Sequence, residues 1–322
     1  MKKIIEIIPN YSEGKNLAIM EEIISPFKKA GIFLCLLEMD KDYNRSVVTI
    51  IGEIDTVIVA MAESALLTSK LIDLNHQSGE HPRIGAVDVI PIVPIRNVNE
   101  EDCQEAVIRL AELISSQAKI PVYLYNKSAT SESRKLLPNI RKGEFEGLEL
   151  KMKNSDWFPD YGESKPHPQA GAVAIGVREP LIAYNIDLNT SDKMIAEKIA
   201  RKIRFSSGGL PFVQAKAALL RELGNAQVTI NLTDYHKTSL AKVFKRVEEE
   251  ARRLSVKIVA SEIIGLIPQE ALQLSLQEID CQFTNKSIAD TVKLSREYFL
   301  LRNFSQEKIL DYYLDKILGE EL

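Results

Sequence analysis

The order in which two hydrophobic periodicities alternate along the chain constrains its fold more than any other feature. "KKIIEIIP" at the start is a β-branched run closed by a proline, which predicts a strand. "NLAIMEEIISPFKKAG", residues 16–31, changes to helical spacing, with Gly31 as the stop. "IFLCLLEMD" and "RSVVTIIGE" predict two strands joined by "KDYN"; a helix over "IDTVIVAMAESALLTSKLIDL" and a strand over "AVDVIPIVPI" follow. That is a β-α-β-β-α-β order. A further helix, "NEEDCQEAVIRLAELISSQA", has acids in its first turn, where the helix dipole favours them, and leads to the strand "IPVYLY". The order then recurs. "REPLIAYNIDL" predicts a strand, and "SDKMIAEKIARKIR" a helix opened by Ser191 or Thr190 as cap. Strands over "PFVQAKAALL" and "AQVTINLTD" flank the turn "RELGN", then come the helix "SLAKVFKRVEEEARRLS" and the strand "VKIVASEIIGLIP". The expectation is an α/β (α+β) fold of two ferredoxin-like β-α-β-β-α-β subdomains, residues 1–179 and 180–322, with a mostly helical tail from Pro268 packed on the outside. No residue-level repeat accompanies the echo. Between the halves, "NSDWFPDYGESKPHPQAGAVAIG" is irregular, rich in Pro, Gly and polar residues, and holds the only tryptophan; a long irregular segment in a compact chain points to function rather than linkage.

Length and charge narrow the classes. At 322 residues the chain is long for a single core, and a net charge of -4 without a polybasic run gives no reason to expect nucleic acid or a membrane surface as partner. The apolar run near the start is short and interrupted by Glu6 and Pro9, unlike a secretory signal. No stretch reaches the roughly 18 apolar residues of a membrane helix. The three cysteines, Cys35, Cys103 and Cys281, are scattered and form neither a disulfide framework nor a CxxC pair, so the cytoplasm is the expected compartment.

Four histidines are present, and "GEHPRIGAVDVIP" places His81 between Glu80 and Pro82 on a loop that feeds a strand. His76 and His81 do not have zinc-helix spacing, and Pro82 disfavours helical geometry at His81, so no metal is expected. Imidazole has an unperturbed pKa near ~6.5 and suits general acid–base work. A loop histidine held by local hydrogen bonds accounts for the spacing as well, and the company of Glu80 and Arg83 does not decide between them. "NYSEGKN", residues 10–16, lacks a P-loop ending and reads as a helix start capped by Ser12 or Asn10, with Gly14 easing the turn. "FSSGGLP" reads as a loop. Asp40, Asp42 and Arg45 occupy a charged turn between two strands. Such a turn is ordinarily solvated; alternatively Asp40 faces a cationic substrate and Arg45 a carboxylate, which arginine binds bidentately.

Several segments together resemble the glutamate formimidoyltransferase (formiminotransferase) family, whose members occur alone or as the first part of formimidoyltransferase-cyclodeaminase. They are "IPNYSEGKN", "YNRSVVTIIG", "LIDLNHQSGEHPRIGAVDVIPIVPIR", "PVYLYNKSA", "LPNIRKGEFEGL", "DWFPDYG", "LIAYNIDL" and "EIIGLIPQEAL". The resemblance covers nearly the whole chain and is most specific around "GEHPRIGA". It implies transfer of the formimino group from N-formimino-L-glutamate to N5 of tetrahydrofolate, a co-substrate, in histidine degradation. It further implies a ligand groove between the two subdomains and a homodimer. The family's catalytic histidine falls on His81. Its folate-binding stretch falls on Gly162, Glu163, Ser164, Lys165, Pro166, His167, Pro168, Gln169, Ala170 and Gly171.

The chemistry implied needs a group near neutrality that takes the N5 proton and delivers one to the leaving glutamate nitrogen, which is what His81 offers. Asp40 is the candidate to stabilise the cationic amidine, and Arg45 and Asn10 the candidates for glutamate carboxylates. One departure stands out. Family members carry aromatic or apolar residues between "PDFG" and the following "GA", whereas this chain has "ESKPHPQA", so no aromatic of that loop stacks on the pterin. His167 there is a second imidazole, expected to face solvent. No cyclodeaminase part is expected before Leu322, so a separate cyclodeaminase is expected to take the product. Two other readings remain: formylation of glutamate from 5-formyltetrahydrofolate at the same site, and a non-catalytic folate-binding module, against which "GEHPR" argues.

Overall fold

The computed structural model describes residues 2–318 apart from 42, 80 and 221–223, so Asp42 and Glu80 lie outside the described residues. The chain divides into two compact units, Met1–Arg178 and Glu179–Leu322.

In the first unit, β1 (Ile4–Ile7) and β2 (Asn10–Tyr11) precede α1 (Leu17–Ile23), β3 (Ile32–Asp40), β4 (Arg45–Glu53) and α2 (Ile54–Leu71). Then come β5 (Val87–Arg96), α3 (Glu100–Leu113), β6 (Val122–Leu124), two short helices α4 (Leu137–Arg141) and α5 (Glu144–Lys151), and β7 (Val173–Val177). The seven strands form one sheet: β3 flanks β4, β1 and β2 share the lane between β4 and β5, and β7 then β6 follow. The pairs β5–β7 and β7–β6 are parallel, the others antiparallel. Alternation along the strands divides the apolar residues. Val87, Ile90, Val122, Leu124 and Val173 share a core with residues of α1, α2 and α3. Val89, Tyr123, Tyr125 and Ala174 share another with Ile140 of α4 and Leu148 of α5.

Several local expectations change. The segment over 154–176 is not irregular to its end: it closes with β7, inserted between β5 and β6. The first α-helix stops at Ile23, because Pro26 offers no N–H to continue it, and a short 3-10 turn takes over. Its cap is Asn16, whose side chain accepts from the Ile19 amide, rather than Ser12 or Asn10. Glu13 accepts from the Lys15 and Asn16 amides and does the job assigned to Ser12, whose hydroxyl donates instead to the Gly85 carbonyl. The acidic start of α3 matches expectation, as a reciprocal box between Asn99 and Asp102.

The second unit runs β8 (Ile182–Leu188), α6 (Lys193–Ile203), β9 (Val213–Leu220), β10 (Asn225–Leu232), α7 (Leu240–Arg253) and β11 (Ile258–Ile264). Its tail is α8 (Gln269–Ile279), α9 (Ile288–Phe299) and α10 (Leu310–Leu318). Its sheet has the order β11-β8-β10-β9 and is antiparallel throughout. Asp192 caps α6, not Ser191 or Thr190, because its carboxylate reaches the Met194 amide. Tyr184 and Ile186 join the core with α6, α7 and α8. On the alternate positions Asp187 and Glu262 share Arg302 and Gln227.

Candidate functional site

His81 stands where three segments of the first unit meet. Its loop is tied to the turn between β3 and β4: the His81 amide donates to the Tyr43 carbonyl, and the Asn44 side chain donates to the Ser78 carbonyl at 3.1 Å. Gln77 reaches back to Glu13, and Arg83 donates to the Gln77 carbonyl at 2.9 Å. The spacing leaves no room for side chains in between, since a Cβ on Gly79 would lie 2.4 Å from the Tyr43 carbonyl oxygen.

The ring is buried, 5% exposed, and Nε2 lies 3.5 Å from Oδ2 of Asp88, too long for a good hydrogen bond but close enough for an ion pair once the ring is protonated. β2 pairs Asn10 with Val89 and Tyr11 with Val87, which makes Asp88 the extra residue of a β-bulge in β5. Bulges re-aim a side chain out of the normal alternation. The carboxylate so aimed accepts from the Ile84 amide at 2.7 Å and from Nε and Nη2 of Arg141, the last residue of α4. Burial pushes Asp88 up, but Arg141, His81 and the Ile84 amide outweigh it, and its carboxyl is held below the usual carboxylate range. Burial lowers the His81 imidazole; Asp88 opposes this, while Arg141 and Arg45 reinforce it, so the ring is neutral at neutral pH. A neutral imidazole is the form that accepts a proton.

Arg45 comes to the same place. Its guanidinium lies 5.6 Å from the Tyr43 ring centre, and its buried Nε has no hydrogen-bond partner among the described residues. Burial lowers its pKa, with Asp40 opposing. Asp40 is opposite Arg45 in the β3–β4 ladder and accepts from the Tyr43 amide at 2.9 Å. Asn10 is half-buried, one ladder position from Asp88, and donates to the Ile8 carbonyl.

The stretch Gly162–Gly171 splits into two parts. Glu163, Ser164 and Lys165 are exposed, with Glu163 and Lys165 paired at 2.7 Å. From His167 the chain docks on the strand side of the histidine loop: the Ala86 amide donates to the Ala170 carbonyl, and the Ala172 amide to the Ile84 carbonyl. His167 does not simply face solvent. It is half-buried, and its Nδ1 accepts from the Gln169 and Ala170 amides, so its ring braces its own loop.

The formiminotransferase domain, N-terminal subdomain, matches residues 4–178, and the formiminotransferase domain matches residues 183–299. The chain belongs to the formiminotransferase family. A glutamate formimidoyltransferase of Streptococcus pyogenes is 41% identical over 84% of this chain and 91% of its own length. One of Thermoplasma acidophilum is 35% identical over 99% of both. The formimidoyltransferase-cyclodeaminase of Mus musculus is 37% identical over 84% of this chain but only 51% of its own length. Sequence reasoning missed Asp88 and Arg141 as neighbours of His81. Asp88 does leave a signal, a single acid inside the apolar run "AVDVIPIVPI", and a buried charge requires a partner. Arg141, 53 positions away, leaves none.

Proposed function

We propose that the chain is a folate-dependent one-carbon transferase, a glutamate formimidoyltransferase that moves the formimino group from N-formimino-L-glutamate to N5 of tetrahydrofolate, with His81 as general acid and base. Its relatives bear that name over most of the chain's length. The observation that carries the residue-level reading is a buried, neutral imidazole facing an ionised Asp88. In the reaction N5 attacks the amidine carbon and gives up its proton to the imidazole. The tetrahedral intermediate breaks its bond to the glutamate nitrogen as the imidazolium returns the proton there. The products are glutamate and 5-formiminotetrahydrofolate.

Arg45 is proposed to bind a glutamate carboxylate. Its place beside His81 supports this, because a guanidinium binds a carboxylate bidentately. Asn10 is proposed beside it, and Asp40 as the group nearest the cationic amidine. Gly162–Gly171 is proposed as the folate loop, supported by the docking of its second part on residues 84–86. The proposal includes ferredoxin-like halves, which the strand order β11-β8-β10-β9 supports for the second unit and β5-β1-β4-β3 for the first. The ligand groove, the homodimer, the cytoplasmic setting and a separate cyclodeaminase as consumer of the product complete it.

The test is formation of 5,10-methenyltetrahydrofolate, after acid treatment, from formiminoglutamate and tetrahydrofolate. His81→Ala is expected to lower kcat by ~10²–10⁴-fold while folate binding, read by calorimetry, stays near wild type. His76→Ala and His236→Ala are expected to cost little. Because the ring is lowered, the wild-type rate should rise with pH through a value below ~6.5 and then level off. Near-wild-type kcat in His81→Ala, or a loss confined to folate affinity, refutes the assignment.

A further inference from the structure

We infer that Asp88 is a positioning residue that holds the hydrogen of neutral His81 on Nε2, so that Nδ1 is the nitrogen that exchanges the proton with the substrates, and that Arg141 keeps Asp88 in its ionised, acceptor-only form. The inference rests on the acid–base role of His81 and adds which atom performs it.

Three observations carry it. First, the two ring nitrogens are not equivalent. Nε2 is buried without a hydrogen-bond partner among the described residues and has Oδ2 of Asp88 3.5 Å away. A substrate amine has no access to a buried nitrogen that faces a carboxylate. Second, an ionised carboxylate accepts hydrogen bonds and donates none, so the stable neutral ring beside it carries its hydrogen on the facing nitrogen. Third, the carboxylate is itself built in. Asp88 is fully buried, projects from a bulge, and is held by the Ile84 amide on one oxygen and by Arg141 on the other. The Ile84 amide also belongs to the segment that begins three residues after His81, so one carboxylate fixes both the ring and the path of its loop.

The proton balance follows. N5 gives its proton to Nδ1 as the N5–carbon bond forms. The imidazolium then holds a hydrogen on each nitrogen, with its charge beside Asp88. Nδ1 returns the proton to the glutamate nitrogen as the carbon–nitrogen bond breaks, and the Nε2 hydrogen never leaves. Arg45 faces the ring from β4 and Arg141 from α4, and both oppose the imidazolium. Asp88 is the group that offsets them.

The chain has four histidines, so ring-¹⁵N-labelled protein gives four imidazole patterns, and His81→Ala assigns one of them. Wild-type His81 above its titration is expected to show a protonated Nε2 and a pyridine-type Nδ1. A protonated Nδ1 overturns the inference whatever the variants do, and leaves the acid–base reading to stand or fall on His81→Ala. Asp88→Asn is expected to mix the tautomers and lower kcat by ~10²–10⁴-fold, with KM changed far less. Asp88→Glu is expected to restore part of the rate and the Nε2–H pattern. If Asp88→Asn unfolds the chain, Arg141→Lys, which keeps a cation near Asp88, is read in its place. Its expected result is a retained Nε2–H pattern and a shifted pH limb. A folded Asp88→Asn protein with wild-type kcat and a single wild-type tautomer overturns the inference as well.

Discussion

At the scale of single residues, two acids in apolar strands behave in opposite ways. Asp88 has a guanidinium and a backbone amide as hydrogen-bond donors and is held low. Glu6, in β1, is 7% exposed; burial pushes it up to about 7, and Arg178 only partly counters that. The difference is one of donors rather than depth, because buried charge is tolerated where hydrogen bonds replace water. A carboxyl that titrates near 7 in the folded state and near 4.5 in the unfolded chain binds more protons when folded. Its contribution is therefore fully present below pH ~4.5 and is lost as pH rises towards 7. Glu6→Gln is expected to stabilise the protein by up to about 3 kcal/mol at pH 8 and by much less at pH 5. Trp157, the only tryptophan, lies in the same unit, so its emission during urea unfolding reports the effect. An equal gain at both pH values contradicts the assignment of a raised carboxyl.

At the scale of elements, the site depends on two segments that lie flat against each other. Gly85 and Gly171 form an isolated bridge, and the Gly171 amide and carbonyl close a tight pair with His167. Gly171 has φ +67, and a Cβ there would lie 2.1 Å from the Ile84 carbonyl oxygen, a backbone atom that cannot swing away. Gly171→Ala is expected to cost more than about 2 kcal/mol and to lower kcat as well, since Ile84 is three residues from His81. A variant with wild-type melting temperature and rate shows that the docking is not required. The strand "VAIGV" (β7) explains why such elements are hard to read from sequence. Alanine and glycine give it weak strand propensity, and it forms because β5 and β6 offer ladder partners on both sides. Helices α4 and α5 are likewise short, five and eight residues, below the length at which periodicity separates helix from strand.

At the scale of the whole molecule, each unit closes its own core. Ile50, Ile90 and Leu110 belong to one cluster of the first unit, and Val228, Ile199 and Leu272 to that of the second. A fragment ending at Arg178 retains β1 to β7 and the loop that carries His81, so it is expected to unfold cooperatively, with native Trp157 emission. It is also expected to transfer nothing, because the proposed groove needs the second unit. Full activity in the fragment, measured by the methenyl assay, would show that the second unit serves structure alone. No described helix is long and apolar enough to cross a membrane.

The sequence by itself determined what is written locally. Strand and helix order follow from hydrophobic period, Gly31 marks a turn with φ +85, and the "GEHPRIGA" stretch points to the family. Tertiary structure alone decided what distant residues do for one another. Asn16 and Asp192 cap helices that nearby serine and threonine residues were equally able to cap, because capping depends on backbone angles at one position. Arg45 and His81 come together because the turn at Tyr43 accepts the His81 amide, and Asp88 meets Arg141 because a bulge in β5 turns its carboxylate towards α4. A charge in a strand announces that it needs a partner; which partner it has depends on the packing of segments more than 50 positions apart, and sequence period carries no information over that distance.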